Sequence, residues 1–210
     1  MAKKKNSKTD LEKALPKDLK ELPDEAQKKY EELQGKLDKF KDKVLAKFSE
    51  YVVGMSLLPP DKEENDKINV LLLIDDTDSR KMSKQELKEK LTKIIGTMAE
   101  ETDKNLVPDV MLLTELWQAC YDGKYEILQT IAMSAIIHED GMLSAIKIAE
   151  VHKNMVLKKF EKYIVSYVLA GSLVQGRATP ESDIDVWIVI DDTDVKRMTR
   201  AELKDKLRAI

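Results

Sequence analysis

The sequence predicts an α+β fold, a small mixed sheet flanked by helices, that occurs twice along the chain. Short apolar runs typical of strands alternate with longer segments of helical periodicity, in the same order in both halves. Residues 69–94 also align without a gap to residues 185–210, and thirteen of these 26 positions are identical. The repeating unit therefore has the size of a domain and is much longer than a solenoid repeat.

In the first copy we expect a helix, two strands and a second helix. In chain order these are a helix over residues 24–50, strands over residues 51–57 and 68–74, and a helix that begins after Ser83. Pro23 suits the start of the first helix, because the backbone N–H groups of a first helical turn have no partner within the helix. Ser83 and Glu86 have the spacing of a capping box, which predicts the start of the second helix.

The first copy continues beyond that second helix. An apolar run predicts a third strand over residues 106–113, and further helices are predicted over residues 115–121 and 124–138. A glycine follows each of these two helices, at the position where helices commonly end.

The second copy begins with the same elements and then stops. In chain order we expect a helix over residues 144–162, strands over residues 164–169 and 184–190, and a capping box formed by Thr199 and Glu202. A strand corresponding to residues 106–113 would lie beyond Ile210, the last residue. We therefore expect the second copy to be truncated at its C-terminal end in this sequence.

Composition argues against several functions. The formal net charge of -3 provides no basic field for strong, sequence-independent binding to nucleic acids. Cys120 is the single cysteine, so an internal disulfide framework is excluded and a small core residue is expected. No apolar signal core follows the basic N-terminus, which favours a cytoplasmic protein without a membrane partner.

The most informative feature is a glycine–serine pair followed, ten residues later, by two aspartates that open an apolar run. Asp183 and Asp185 are two apart on a predicted strand, so their side chains point the same way. Adjacent carboxylates repel each other, so they need either a cation or an exposed cleft, and Mg²⁺ prefers one or two carboxylates together with phosphate oxygens. A turn at Gly171 and Ser172 would expose backbone N–H groups to such phosphates.

This stretch resembles the signature of the DNA polymerase β-type nucleotidyltransferase superfamily, and it is most similar to the minimal prokaryotic members. The residues that match the pattern are Gly171, Ser172, Gly176, Pro180, Ser182, Asp183 and Asp185. The resemblance implies a nucleotidyltransferase-like fold and transfer of a nucleoside monophosphate from a nucleoside triphosphate such as ATP. It also implies that Asp183 and Asp185 are catalytic and hold Mg²⁺ or Mn²⁺.

The resemblance further implies how the phosphates are bound. Gly171 and Ser172 would hold the β- and γ-phosphates. Arg177, the cation of this loop, would either steady a phosphate or stay solvated, and both interpretations are open. The acceptor is not identified: a nucleic acid end, a protein hydroxyl and a small molecule all fit. The family's third carboxylate would lie on the strand that this sequence does not reach.

The gapless alignment predicts that the first copy lacks this chemistry. Its pairs include Tyr51 with Tyr167, Val52 with Val168, Met55 with Gly171, Ser56 with Ser172 and Pro60 with Gly176. Lys67 stands opposite Asp183 and Asn69 opposite Asp185, and neither is a ligand that a hard cation prefers. We therefore expect a basic, polar tail over residues 1–22, a degenerate domain over residues 23–141 and the motif-bearing domain over residues 142–210.

Other polar residues are assigned structural roles. The acidic cluster at residues 191–194 recurs at residues 75–78, which predicts a strand-to-helix turn with capping carboxylates instead of a second metal site. Asp109 stands where a third carboxylate could lie in the first copy, and we interpret it as a relic or a strand-start residue. His138 and His152 are expected to be ordinary helix residues.

A second function is also consistent with the sequence. The chain could be a nucleotide-binding or regulatory module without robust turnover, with the first copy serving for docking or dimerisation. The resemblance adds a helical protein partner, of the kind found in toxin–antitoxin systems, and self-association as alternatives.

Overall fold

The chain forms two compact units, divided between Asp140 and Gly141. The computed structural model describes residues 23–60, 66–79, 82–175, 179, 181–191, 193 and 197–208. Within these ranges, none of the helices combines the length and the apolarity that crossing a membrane requires. The tail predicted over residues 1–22 lies outside the described residues.

The described part of the first unit consists of a mixed sheet and helices. In chain order its elements are α1 (Asp24–Phe48), β1 (Val52–Leu57), β2 (Ile68–Ile74), α2 (Lys84–Glu100), β3 (Leu106–Leu112), α3 (Leu113–Tyr121), α4 (Glu126–Met133) and β4 (Ala135–Glu139). The strand order is β3-β2-β1-β4; β1 is antiparallel to β2 and to β4, and β3 is parallel to β2. This small mixed sheet is compatible with the predicted α+β class.

The main core of the first unit involves β2 and the helices α1 and α2. Its fully buried members on these elements are Phe40, Val44, Val70, Leu72, Ile95 and Ala99. Leu71 and Leu73, on the opposite face of β2, are buried as well, so this central strand is covered on both sides. Because each buried leucine stabilises the fold by ~1.5–3 kcal/mol, β2 is the most strongly held strand of the unit.

The helix predicted over residues 124–138 is wrong in its second half. The helix α4 ends at Met133, and Ser134 is already extended, with φ -73° and ψ 160°. The following residues form β4, where Ile136 pairs with Ser56 of β1 and His138 pairs with Met55. Pairing with the open side of β1, aided by two β-branched isoleucines, outweighs the local helical pattern. His138 is thus a strand residue, contrary to the expectation.

The described part of the second unit is an antiparallel hairpin with helices before and after it. Its elements are α5 (Met142–Phe160), a 3₁₀ turn (Glu161–Tyr163), β5 (Ile164–Ala170), β6 (Asp185–Ile190) and α6 (Arg200–Arg208). Apart from α4 and β4, the predicted elements occur with ends that differ by at most two residues.

Of the two predicted capping boxes, the one at Thr199 has both of its hydrogen bonds, and the structure gives one of the two at Ser83. Ser83 Oγ accepts a hydrogen bond from the Glu86 backbone N–H at 3.2 Å, at the start of α2. Thr199 Oγ1 accepts one from the Glu202 backbone N–H at 3.3 Å, and Glu202 Oε2 accepts one from the Thr199 backbone N–H at 2.8 Å. These bonds satisfy N–H groups that the first turn of a helix leaves without a partner.

The two hairpins share one hydrogen-bond register. Val52 faces Ile74 in the first unit and Ile164 faces Ile190 in the second, and each ladder is irregular over the next pair. Beyond the ladders, the Asp75 N–H donates to the Tyr51 carbonyl at 2.7 Å. The Asp191 N–H donates to the Tyr163 carbonyl at 2.8 Å.

This register corrects the gapless alignment upstream of β2 and β6. By register, Tyr51 corresponds to Tyr163, Val52 to Ile164, Met55 to Tyr167, Ser56 to Val168, Pro59 to Gly171 and Pro60 to Ser172. The expected pairing of Met55 with Gly171 is therefore wrong, as are those of Tyr51, Val52, Ser56 and Pro60. The hairpin loop of the second unit is four residues longer, so the offset of the gapless alignment does not hold upstream of this loop.

Candidate functional site

The glycine of the signature lies beside one of its two aspartates. Ala170, the last residue of β5, pairs with Asp185, the first residue of β6, and Gly171 follows directly. Gly171 has a φ of 74°, in the left-handed region that glycine tolerates best. Gly171 and Asp185, which are fourteen positions apart in sequence, are thus brought together at the open end of the hairpin.

The Asp185 carboxylate occupies the space where a side chain at position 171 would begin. A Cβ placed on Gly171 would overlap Asp185 Oδ2 and would lie 3.0 Å from Asp185 Cγ. Glycine is required here twice, by its backbone conformation and by this close approach. Its role in the site is therefore to make room for a carboxylate, which the phosphate-binding interpretation of the sequence did not include.

The two aspartates of the motif face solvent on one side of the strand. Asp183 and Asp185 are exposed, as are Trp187 and Val189 further along β6, whereas the alternate residues are half-buried. This alternation agrees with the expectation that both carboxylates point the same way. Trp187, with 69% of its surface exposed, extends the same face as an apolar patch beside the carboxylates.

A closed turn precedes Asp183. The Thr179 N–H donates to Ser182 Oγ at 2.8 Å, and the Ser182 N–H donates to the Thr179 carbonyl at 2.9 Å. Ser182, which matches the signature, thereby fixes the backbone that leads into the strand. Gly176, Arg177 and Pro180 lie outside the described residues, so the phosphate role of Arg177 stays a prediction.

The donor set suits a hard divalent cation that brings other ligands with it. Among the residues that the structure describes, no group of three or more histidine, cysteine, aspartate or glutamate side chains is arranged to hold a metal ion. Two exposed carboxylates on one strand face are nevertheless what Mg²⁺ uses when its remaining ligands are water and substrate phosphates. Asp183 and Asp185 thus fit such an ion as part of its coordination shell.

The first unit has different chemistry at the corresponding positions. Asn69, the second residue of β2, corresponds by register to Asp185, the first residue of β6, and Lys67 precedes Asn69 by two residues, as Asp183 precedes Asp185. Asp109 is an exposed residue in the middle of β3, where it pairs with Leu71 of β2. It is therefore not a strand-start residue, which was one of the two interpretations from the sequence.

The acidic clusters that follow β2 and β6 form turns. Asp191 Oδ1 accepts hydrogen bonds from the Thr193 N–H at 2.9 Å and from Thr193 Oγ1 at 2.6 Å. These two bonds lower the pKa of Asp191, and the bond from the hydroxyl has the larger effect. Asp75 makes the same pair of bonds to Thr77, at 2.9 and 2.7 Å. Asp75 and Asp191 therefore stabilise turns, in agreement with the predicted strand-to-helix turn, whereas Asp192 and Asp194 lie outside the described residues.

Asp76 has a structural role that sequence reasoning missed. Its side chain is buried, and its Oδ1 accepts a hydrogen bond from the Thr114 N–H at 3.0 Å, while Thr114 Oγ1 donates to Oδ2. Asp76 therefore caps α3, which follows the neighbouring strand β3, and not the helix that comes next in the chain. A contact across 38 positions leaves no local pattern in the sequence.

A polar cluster joins α5 to β5 in the second unit. Tyr167 OH donates to the Ala149 carbonyl at 3.2 Å and lies 2.9 Å from His152 Nδ1. Burial raises the pKa of Tyr167 to about 12, with a smaller contribution from the nearby Glu150 carboxylate. Glu150 is itself buried and pairs with Lys153 Nζ at 2.6 Å. His152 is thus a structural residue of the helix, as expected, although its partner could not be read from spacing.

Comparison with known proteins agrees with the position of the motif. Residues 150–210 match the model of a family described as nucleotidyltransferase domain. The matched segment contains the glycine–serine pair, both aspartates and the whole β5–β6 hairpin. No curated protein and no solved structure matches the chain. The match supports nucleotidyl transfer in general terms for the second unit.

Proposed function

We propose that the second unit is a metal-dependent nucleotidyltransferase, which transfers a nucleoside monophosphate from a nucleoside triphosphate to an acceptor hydroxyl. The new bond joins the acceptor oxygen to the α-phosphorus, the bond to the β-phosphate breaks, and pyrophosphate leaves. The observation that carries this proposal is the packing of the Asp185 carboxylate against Gly171. It unites two parts of the signature within a segment that matches a nucleotidyltransferase family. The acceptor is left open.

Each residue of the site has a specific task in this proposal. Asp183 and Asp185 hold Mg²⁺ or Mn²⁺, which when bound neutralises phosphate charge and lowers the pKa of the attacking hydroxyl. Backbone N–H groups at Gly171 and Ser172 bind the β- and γ-phosphates, and Arg177 provides a further cation. The protein contributes position and charge, which is most of what phosphoryl and nucleotidyl transfer require.

We further propose that the two units are a tandem duplication and that the first is a non-catalytic copy. The shared hairpin register and the paired turns at Asp75 and Asp191 support a common origin. Lys67 and Asn69 support the loss of activity, because a lysine in the place of Asp183 repels a cation and an asparagine is a weaker ligand.

A nucleotide-binding or regulatory module without turnover is the second candidate. It is favoured by the small donor set, since no third carboxylate joins Asp183 and Asp185 among the described residues. In this case triphosphates would bind with Mg²⁺, but no nucleotide would be transferred to an acceptor.

Calorimetry with Mg-ATP and the other triphosphates tests the shared part of both candidates. We expect Asp183→Asn and Asp185→Asn each to weaken binding by about tenfold or more, because each removes a charged metal ligand. Glu181→Gln is the matched control, because Glu181 is an exposed carboxylate two residues from Asp183 and outside the motif. Equal binding by all four proteins would contradict a metal–nucleotide site here.

Radiolabel transfer then separates the two candidates. With α-labelled triphosphates and pools of RNA, protein and small hydroxyl compounds, an enzyme labels one pool in a manner that requires Asp185. Binding without labelling of any pool supports the module.

A further inference from the structure

An apolar stripe lies on the solvent side of the helix α5. Ile148, Val151 and Met155 are 59%, 57% and 48% exposed. Their spacing of three and then four residues places them on one helical face, about 10 Å long. Three large apolar side chains in a row on an exposed helix face form a contiguous patch, and such patches mark interaction sites.

The first unit shows that its own fold does not bury these positions. The helices α1 and α5 each end four residues before the following strand begins. Each also contains an ion pair at the same distance from its end, Lys41 with Asp38 and Lys153 with Glu150, both at 2.6 Å. By this correspondence, the three stripe residues of α5 are equivalent to Lys36, Lys39 and Lys43 of α1.

The lysines of α1 face solvent. The side chains of Lys36 and Lys43 are 38% and 40% exposed and pair with Asp103 at 2.8 Å and Glu101 at 3.3 Å. A position that accepts lysine in one unit is not a core position of the architecture. The isoleucine, valine and methionine of α5 are therefore not explained by packing within a unit of this fold.

The surroundings of the stripe are cationic. Lys147, Lys158 and Lys159 lie along its two sides on the helix, and the carboxylate of α5, Glu150, is buried away from it. A second copy of the same face would bring these lysines against one another, which is unfavourable. A partner with an apolar centre and an acidic rim would match both the shape and the charge of this surface.

We propose that the stripe of Ile148, Val151 and Met155 is a docking surface for an acidic amphipathic helix of another protein. The partner helix places apolar residues at positions i, i+3 or i+4, and i+7 on the stripe, and its glutamates or aspartates meet the rim lysines. The proposal stands independently of the nucleotidyltransferase function, because none of these residues belongs to the motif.

Fluorescence anisotropy with two designed helical peptides tests the proposal on the full chain. Both peptides have leucines at the anchor positions; one has glutamate flanks and the other has lysine flanks. We expect the acidic peptide to bind at least about tenfold more tightly than the basic one, with an affinity that falls as salt is raised. The triple variant Ile148→Lys, Val151→Lys, Met155→Lys should lose this binding by about tenfold or more.

The variants are chosen so that folding and docking are separated. The triple variant installs the residue type that α1 has at the same positions, so we expect an unchanged circular dichroism spectrum and melting temperature. Val165→Lys changes an exposed apolar residue elsewhere in the second unit, at 65% exposure, and should bind the acidic peptide normally.

Five results would overturn the proposal. The acidic peptide could fail to bind at about 1 mM. The basic peptide could bind equally well. Vesicles containing an anionic lipid could bind in place of the peptide, which would indicate a membrane surface. A dimer dispersed by the triple variant in ultracentrifugation would indicate a second copy. A lowered melting temperature of the triple variant would indicate that the chain itself covers the stripe.

Discussion

At the scale of single residues, the closest contact in the site is between Gly171 and the Asp185 carboxylate. The sequence predicted that both belong to one motif, because their spacing matches a known signature. It could not predict that the carboxylate fills the space of the missing side chain, since that depends on how β5 ends against β6. The glycine is therefore a residue that positions the Asp185 carboxylate, which is the metal ligand in the proposed function.

Gly171→Ala is expected to disturb the site strongly. Alanine at a φ of 74° costs about 1–3 kcal/mol in strain, and its Cβ would displace the Asp185 carboxylate. Calorimetry should show that Mg-ATP binding is weakened by about tenfold or more. Gly96→Ala is the control, because nothing lies within 4 Å of a Cβ in α2 and alanine there should be neutral or stabilising. Unchanged affinity in Gly171→Ala would contradict the positioning role.

Tyr167 predicts how stability depends on pH in alkaline solution. Its pKa of about 12 in the folded chain, against 10.0 ordinarily, means that the unfolded chain releases this proton first. The stability associated with the neutral phenol is complete below pH 10 and is lost as the pH rises toward 12.

Urea unfolding of the wild type and Tyr167→Phe at several pH values measures this effect. We expect the difference in unfolding free energy between the two proteins to shrink from pH 9 to about pH 11.5. A difference that stays constant over this range would show that the phenol is not shielded by burial and Glu150.

At the scale of elements, the turn after β2 holds a helix that is not its neighbour in sequence. It holds the start of α3 through Asp76, and its local bonds between Asp75 and Thr77 recur between Asp191 and Thr193 after β6. The local turn is the part of the repeat that both units show, and its recurrence has a structural cause.

Asp76→Asn should destabilise the first unit. The change removes a charged acceptor from buried bonds to Thr114, at a cost of about 1–3 kcal/mol. Urea unfolding should show this loss, and Asp78→Asn, at an exposed position of the same turn, should stay within about 0.5 kcal/mol of the wild type. Equal effects of the two changes would argue against a specific cap.

The accuracy of sequence reasoning differed among elements for physical reasons. Helix starts at Ser83 and Thr199 were predicted because capping is a local interaction over three residues. The strand β4 was missed because its conformation is fixed by pairing with β1, about eighty positions away. Upstream of the hairpin loop, the gapless alignment paired residues that are four positions out of register. The sequence of an apolar strand does not show how long the adjoining loop is, and only the register of the ladder reveals it.

At the scale of the whole molecule, the hairpins of the two units differ at the positions where the proposed chemistry would occur. One presents two aspartates at the open end of its hairpin, and the other presents a lysine and an asparagine. The composition, with a net charge of -3, could not distinguish them, because the difference lies in two positions of a shared scaffold.

This difference predicts one nucleotide-binding site in each chain. Calorimetric titration with Mg-ATP should give a stoichiometry of about one, because Lys67 and Asn69 do not support a second metal–phosphate site. Asp185→Asn should then weaken the single binding event by about tenfold or more, without leaving a second site of unchanged affinity. A stoichiometry of two would overturn the assignment of the first unit as non-catalytic.

The exposed indole of Trp187 on β6 provides an intrinsic fluorescence probe. The chain has two tryptophans, and each unit contains one: Trp117, whose ring nitrogen is buried, and Trp187, which is 69% exposed. Their emission should differ in wavelength and in quenching by iodide, so that unfolding of either half can be followed without a dye. Because Trp187 lies on the same strand face as Asp185, its emission would also respond to a bound nucleotide while that of Trp117 stays constant.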